Sequence, residues 1–195
     1  MTFEEIKEHL STAKVGICGA GGLGSNCATS LARVGVGKLL IADYDIVTES
    51  NLKRQYFFHD QIGIKKVVAL KENLLRINPD ISVVCIDEKL QAESIALNFW
   101  DCDVIVEAFD KSETKQMIIE AVHTYFPNIP LVCGIGIASY GNLNDIRLHE
   151  YGNLYVCGDL KSEASDDNPA IAPRVGVVSN MQADVVISLL LNNKK

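Results

Sequence analysis

The chain has 195 residues, 48% of them apolar, which is enough to bury one full hydrophobic core. Its net charge of −7 disfavours nonspecific binding to nucleic acid or to an anionic membrane surface, so an anionic ligand must be met by a local gathering of cations. The six cysteines include no C-x-x-C pair and mostly sit in apolar runs, the pattern of free, buried thiols in a reducing compartment.

The opening MTFEEIKEHL is acidic and lacks the apolar stretch of a signal peptide. No uninterrupted apolar run approaches the ~20 residues of a spanning helix, so a soluble, cytoplasmic protein without a membrane segment is expected. Phe3, Ile6 and Leu10 mark one face of a short helix over 3–10. Val15–Cys18 reads as a buried strand, and Gly19-Ala20-Gly21-Gly22-Leu23-Gly24 follows it. The helix over 23–34 is rich in small residues (Gly24, Ser25, Cys27, Ala28, Ala32), suited to close packing on a sheet. Glycines 19, 21 and 24 between strand and helix form the geometry in which backbone N–H groups and a helix dipole meet phosphate. A second strand runs through Lys38–Ala42 to Asp43, where a dinucleotide site has its ribose-binding acid, about twenty residues past the glycines. Up to this point NAD is a real competitor, and glycines kept only for helix–sheet packing are the bland alternative.

The next stretch, DYDIVTESNLKRQ over 43–55, gathers Asp43, Asp45, Asn51, Arg54 and Gln55. Hydride transfer gives no reason for Asn51, Arg54 and Gln55 directly after a ribose acid, nor for Lys66 in the first turn of the next helix, over 65–77. Attack of a carboxylate on the α-phosphorus of ATP does. It puts negative charge on the phosphorane and on leaving pyrophosphate, where fixed cations act mainly on the transition state. The planar fork of Arg54 can grip two phosphate oxygens while Lys66 supplies a point charge. No G-x-x-x-x-G-K-[ST] loop occurs, so these separated cations must replace a Walker-type cradle. Lys65 reads as a surface residue.

Asn78-Pro79-Asp80 stops that helix. A strand over 81–86, apolar at both parities, a helix over 93–99 and a buried strand over 104–109 come next. Asp110 then stands at the carboxyl edge of the sheet, positioned to hold Mg²⁺ bridging the phosphates, with helix capping as the plain alternative. A helix over 112–125 and a strand over 130–135 complete the alternation. The expected fold is therefore α/β: a Rossmann-like, doubly wound, mostly parallel sheet. After Gly141, segments 145–150 and 154–156 around Tyr151-Gly152-Asn153 suggest a small antiparallel C-terminal portion. An irregular, crossover-type loop over 158–173 and a helix over 175–191 close the chain.

Taken jointly, Gly19–Gly24, Asp43-x-Asp45-x-Val47-x-x-Ser50-Asn51-Leu52-x-Arg54-Gln55, Gly63-x-x-Lys66 and Ile77-Asn78-Pro79 resemble the ThiF/MoeB/HesA adenylyltransferases, bacterial relatives of the ubiquitin-activating enzymes. Ala172-Pro173-Arg174-Val175-Gly176 and Gln182-Ala183 extend the likeness over nearly the whole chain, as a single ThiF-like domain over 1–195. The resemblance implies a homodimer that binds ATP·Mg²⁺ and adenylates the C-terminal glycine of a small ubiquitin-like sulfur carrier. The Glu-Ala-Phe-Asp and Ala-Pro-Arg-Val stretches look most like a short ThiF-like subgroup of thiamine biosynthesis, with a ThiS-like carrier. It assigns Arg54, Lys66 and Asp110 to catalysis. Gly19, Gly21, Gly22, Asp43, Asp45, Ser50, Asn51, Arg54, Gln55, Lys66 and Asp110 would hold ATP, with Asp110 also the Mg²⁺-associated acid. Three departures stand out. The C-x-x-C pairs that bind zinc in longer members are missing, so no zinc is expected. The first arginine is Arg33, so the arginine that many members supply across the dimer is absent or replaced. Lys111 stands where members often have Asn. Cys157, beside the irregular loop, is the best candidate for sulfur transfer. A non-catalytic nucleotide-binding partner of an active relative is the main alternative, and an NAD-dependent oxidoreductase the third; activation of a tRNA base fits the acidic balance poorly.

Overall fold

The computed structural model describes residues 1–192. Helix α1 (Phe3–Leu10) opens on a capping box in which the Thr2 N–H donates to the Glu5 carboxylate (2.7 Å) and the Glu5 N–H to Thr2 Oγ1 (3.3 Å). Strands β1 (Lys14–Cys18), β2 (Lys38–Ala42), β3 (Ser82–Ile86), β4 (Val104–Glu107), β5 (Leu131–Ile135), β6 (Arg147–Tyr151) and β7 (Leu154–Gly158) build one sheet in the order β3-β2-β1-β4-β5-β7-β6. Every neighbouring pair is parallel except β6–β7. Helices α2 (Gly22–Val34), α3 (Lys66–Ile77), α4 (Ala92–Phe99), α5 (Ser112–Tyr125) and α6 (Ala172–Asn192) cover its two faces.

The period-two pleat sorts each strand's apolar residues between two cores. Leu39, Ile41, Val104 and Val106 pack with α1, α2, α3 and α6, while Leu40, Ile105 and Leu131 pack with α4 and α5. This is the doubly wound α/β sheet expected from the alternation.

The structure redraws several boundaries. The expected antiparallel C-terminal portion is the β6–β7 hairpin, and because β7 pairs in parallel with β5 it extends the same sheet. Strand β3 is an edge, with Ser82 and Val84 exposed despite its apolar character. Strand β4 stops at Glu107, because the Glu107 carboxylate accepts the Phe109 N–H at 2.7 Å and turns the chain out of the ladder. Gly158 belongs to β7, and Ala172 and Pro173 form the first turn of α6, so the stretch without helix or strand is 159–171. By length and composition α6 alone among the described helices could cross a membrane, since its few polar residues interrupt the apolar runs without breaking the helix. Here its Val175, Val178, Ala183 and Val186 face lies in the core against α2 and the sheet.

From β1 the chain winds outward through β2 to β3, then returns to β4 on the other side of β1. The carboxyl ends of β1 and β4 therefore flank the topological switch point, where ligands of open α/β sheets bind.

Candidate functional site

The glycine turn fills that switch point. Gly19 has φ +105°, and a Cβ there would lie 2.7 Å from the Ala108 carbonyl oxygen past β4. A Cβ on Gly24 would lie 1.8 Å from the Gly19 carbonyl oxygen, so the first turn of α2 rests directly on the bend. Gly21 caps α2 without any side-chain hydrogen bond, and the first turn holds no acid. The N-terminus of this 13-residue helix thus keeps N–H groups for an anion. Near Gly21 the closest group to a Cβ position is Gln55 Nε2, at 3.9 Å. Gly22 is more covered: Val175 Cγ1 stands 3.1 Å from its Cβ position, and Arg54 Cγ and Cδ stand at 3.7 and 3.8 Å.

Arg54 is laid there by α2 itself. Asn26 Nδ2 donates to the carbonyls of Gly22 (2.7 Å) and Arg54 (3.0 Å). Ser25 Oγ donates to the Gly21 carbonyl (2.6 Å) and accepts the Tyr56 N–H (2.9 Å). Behind this segment Gln61 and Asn73 exchange amide hydrogen bonds (2.8 and 3.0 Å), and Asn73 also donates to the Tyr56 carbonyl (3.0 Å). Ser25, Gln61 and Asn73 are buried. The Arg54 guanidinium forms no ion pair among the described residues.

Lys66 is joined to the same turn by a relay of hydrogen bonds through Asp45 and Asp43. Its Nζ donates to Asp45 Oδ2 at 2.8 Å, with the Lys66 side chain 7% exposed and that of Asp45 50%. The Asp45 N–H donates to Asp43 Oδ1 (2.9 Å), and Asp43 Oδ2 accepts the Ala20 N–H inside the glycine turn (2.7 Å). Asp43 is therefore anchored to the bend with lone pairs left for a hydroxyl donor. Lys65, expected at the surface, pairs with Asp87 at 3.0 Å.

Asn51 and Ser50 sit in a 3₁₀ turn over Glu49–Lys53. Asn51 Oδ1 accepts the Thr48 N–H (3.0 Å), which shapes the turn; Ser50 Oγ lies 3.0 Å from Thr48 Oγ1. Gln55 Oε1 is buried with no hydrogen-bond partner among the described residues. An orphaned acceptor beside a glycine turn suits a ligand with hydroxyl or amino donors, which ATP carries.

Asp110 is exposed in the β4–α5 turn, one residue beyond Phe109, whose ring lies 3.5 Å from the Gly19 Cβ position. It does not cap α5, whose N-cap is Lys111 without a side-chain hydrogen bond. No group of three or more His, Cys, Asp or Glu residues able to hold a metal occurs among the described residues. A single carboxylate fits a Mg²⁺ carried mainly by phosphates and does not fit an all-protein cage.

Two charged networks carry no signal in the sequence. Glu107, fully buried, takes two hydrogen bonds from Lys115 Nζ (2.8 and 2.9 Å), which also donates to the Gly134 carbonyl (2.8 Å). Burial pushes the Glu107 carboxyl up, against the pull of Lys115 and the Phe109 N–H. The second network joins Arg174 and Asp159. Cys157 is corrected by the structure. It is a buried β7 residue whose thiol is pushed up to about 12 by burial, so it has no thiolate to offer at neutral pH. All six cysteines are free, and only Cys85 is not buried.

Compared with known proteins, residues 2–195 match the ThiF family. The chain is 29% identical to the molybdopterin-synthase adenylyltransferase of Salmonella typhimurium, over 95% of this chain and 76% of that protein. It is 31% identical to the sulfur carrier protein ThiS adenylyltransferase of Escherichia coli, over 94% of this chain and 74% of that one. Among solved structures, the E. coli tRNA N6-threonylcarbamoyladenosine dehydratase TcdA in complex with ATP superposes with a TM-score of 0.86, over 96% of this chain and 89% of that one. At 18% identity, that likeness is one of fold.

Proposed function

Because this chain belongs to the ThiF family, we propose that it is an ATP-dependent adenylyltransferase acting on the C-terminal glycine carboxylate of a small, ubiquitin-like sulfur carrier. The observation that carries the reading is that two basic residues from separate segments are both tied to one glycine turn. The Arg54 stem lies against Gly22, and Lys66 is linked by hydrogen bonds through Asp45 and Asp43 to Ala20. The named activities of the two curated relatives support the substrate class.

In this reading the α2 N-terminus and Gly21 receive phosphate oxygens, and Asp43 accepts a ribose hydroxyl. Gln55 Oε1 gains the donor it lacks, and Ser50 and the Asn51 amide close the phosphate side. A carrier carboxylate oxygen forms the new bond to the α-phosphorus as the bond to pyrophosphate breaks, giving an acyl-adenylate and pyrophosphate. Arg54 and Lys66 oppose the negative charge that grows on the equatorial and leaving oxygens. Mg²⁺, associated with Asp110, would add charge neutralisation on the phosphates. The same reading makes the protein a cytoplasmic homodimer, and its carrier ThiS-like, serving thiazole formation in thiamine biosynthesis.

The test is incubation with ATP, Mg²⁺ and carriers of the ThiS and molybdopterin-synthase types, followed by intact-mass analysis and ATP–pyrophosphate exchange. Gain of one AMP by the ThiS-type carrier is expected. Gain only by the other type overturns the thiamine assignment. ATP binding without exchange on either carrier marks a non-catalytic partner and overturns the enzyme assignment.

A further inference from the structure

Arg174, in the first turn of α6, is buried and sits at the centre of three acceptors from two loops. Its Nε donates to the Gly136 carbonyl (3.2 Å), its Nη1 to the Gly141 carbonyl (2.8 Å), and its Nη2 to Asp159 Oδ2. Asp159 in turn accepts the N–H groups of Lys161 and Ser162 (2.9 Å each) and the Ser162 hydroxyl (2.7 Å). The far end of the irregular segment returns to the same place: the Ser139 N–H donates to the Pro169 carbonyl (3.0 Å), and Ala138 bridges Ala170. The connection after β5 and the segment after β7 are thus one unit, gathered on a single guanidinium. The adjacent residue, Val175, is the one that packs over Gly22. One turn of α6 therefore touches the nucleotide side of the crevice and holds the loops of its other side. A cavity of about 280 Å³, lined by Asp145, Arg147, His149, Asp159, Leu160 and Lys161, opens onto this unit.

A buried ion pair is a poor device for stability alone, since apolar residues of similar volume usually serve as well. What three fixed acceptors around a planar fork do supply is a defined geometry. Resting on the function proposed above, we propose that Arg174 is a positioning residue for the acceptor. Its guanidinium fixes the loops past β5 and β7 as the wall that aligns the carrier's C-terminal tail with the glycine turn. The ends of β1 and β2 serve the nucleotide half of the crevice, and β5 and β7 end on the opposite side of the switch point.

The test uses Arg174→Lys, Arg174→Met and Asp159→Asn. ATP affinity is measured by equilibrium binding, folding by thermal melting, and the carrier KM and kcat by ATP–pyrophosphate exchange. The carrier KM is expected to rise about tenfold or more, as misplacement of a reacting group does, while ATP affinity holds within about threefold. Lys, which keeps the charge but not the fork, should recover part of what Met loses. If Arg174→Met fails to fold, the Lys and Asn variants decide the matter. Folded variants with an unchanged carrier KM, or with ATP affinity falling in step, overturn the positioning role. A wild-type protein with no carrier-dependent exchange overturns instead the function on which it rests.

Discussion

Lys66→Met separates catalysis from stability at the candidate site. The Lys66 side chain is 7% exposed, but its partner Asp45 is 50% exposed. Removing the ammonium leaves a carboxylate that water can solvate, and Met fills most of the space of the lysine stem. The stability cost should therefore stay near that of a surface pair, about 1 kcal/mol or less. The rate cost should be far larger. A fixed cation aimed at transition-state charge contributes on the order of 3 kcal/mol, roughly a hundredfold. Carrier-dependent ATP–pyrophosphate exchange beside a thermal melt reads both quantities on one preparation. Exchange that survives within a few-fold refutes the assignment. A loss of activity that merely follows a loss of folded protein refutes the reasoning from exposure.

Two further outcomes follow from the buried charges. Lys115→Met leaves Glu107 fully buried without its cation and should cost about 3–5 kcal/mol in urea melts, most of it regained when Glu107→Gln is added. Burial raises the Asp159 carboxyl, but the Ser162 and Lys161 N–H groups, the Ser162 hydroxyl and Arg174 outweigh it and hold the group at about 2, below its ordinary 3.8. A pKa depressed by folding gives stability that is complete above the unfolded value and is lost as pH falls through the folded one. Between pH 4 and 2 the wild type should lose at most about 2 kcal/mol that Asp159→Asn never had, seen as a flatter dependence of melting temperature on acid pH.

The fold was legible because a parallel sheet covered on both faces makes each strand a continuous apolar run, as in Val104–Val106 and Leu39–Ile41. The anchors of the site were legible because they stand at strand ends and helix starts, Asp43 after β2 and Lys66 at the head of α3. What escaped was nonlocal. Ser25 reads as a small packing residue and Asn26 carries no signal of its own, and nothing nearby in the chain announces that their partners are Tyr56 and Arg54. Glu107 lay at the end of an apolar run and its cation on the next helix, so neither looked paired. Arg174 stands out in the sequence only as part of the Ala-Pro-Arg-Val stretch, because its acceptors at Gly136, Gly141 and Asp159 come together only when β7 pairs with β5. Cys157 borders the irregular loop in the sequence, whereas the β5–β7 pairing buries it.

The two cations of the site are held in different states, and the difference has a consequence for Asp45. Arg54 has no ion-pair partner among the described residues, so in the proposed function a triphosphate would meet it directly. Lys66 is already paired, so in the proposed function an incoming phosphate would compete with Asp45 for the ammonium. Asp45 can leave toward solvent cheaply because it is half exposed, but the competition still weakens the ligand by about the worth of such a pair, up to about 1 kcal/mol. Asp45→Asn should therefore bind ATP more tightly, by up to about fivefold, while the lone buried ammonium lowers the stability of the free protein by as much as about 3 kcal/mol. Equilibrium ATP binding and melting of the free variant test both signs. If Asp45→Asn weakens ATP binding, Asp45 contacts the nucleotide itself, and its pairing with Lys66 belongs to the ligand-free protein alone.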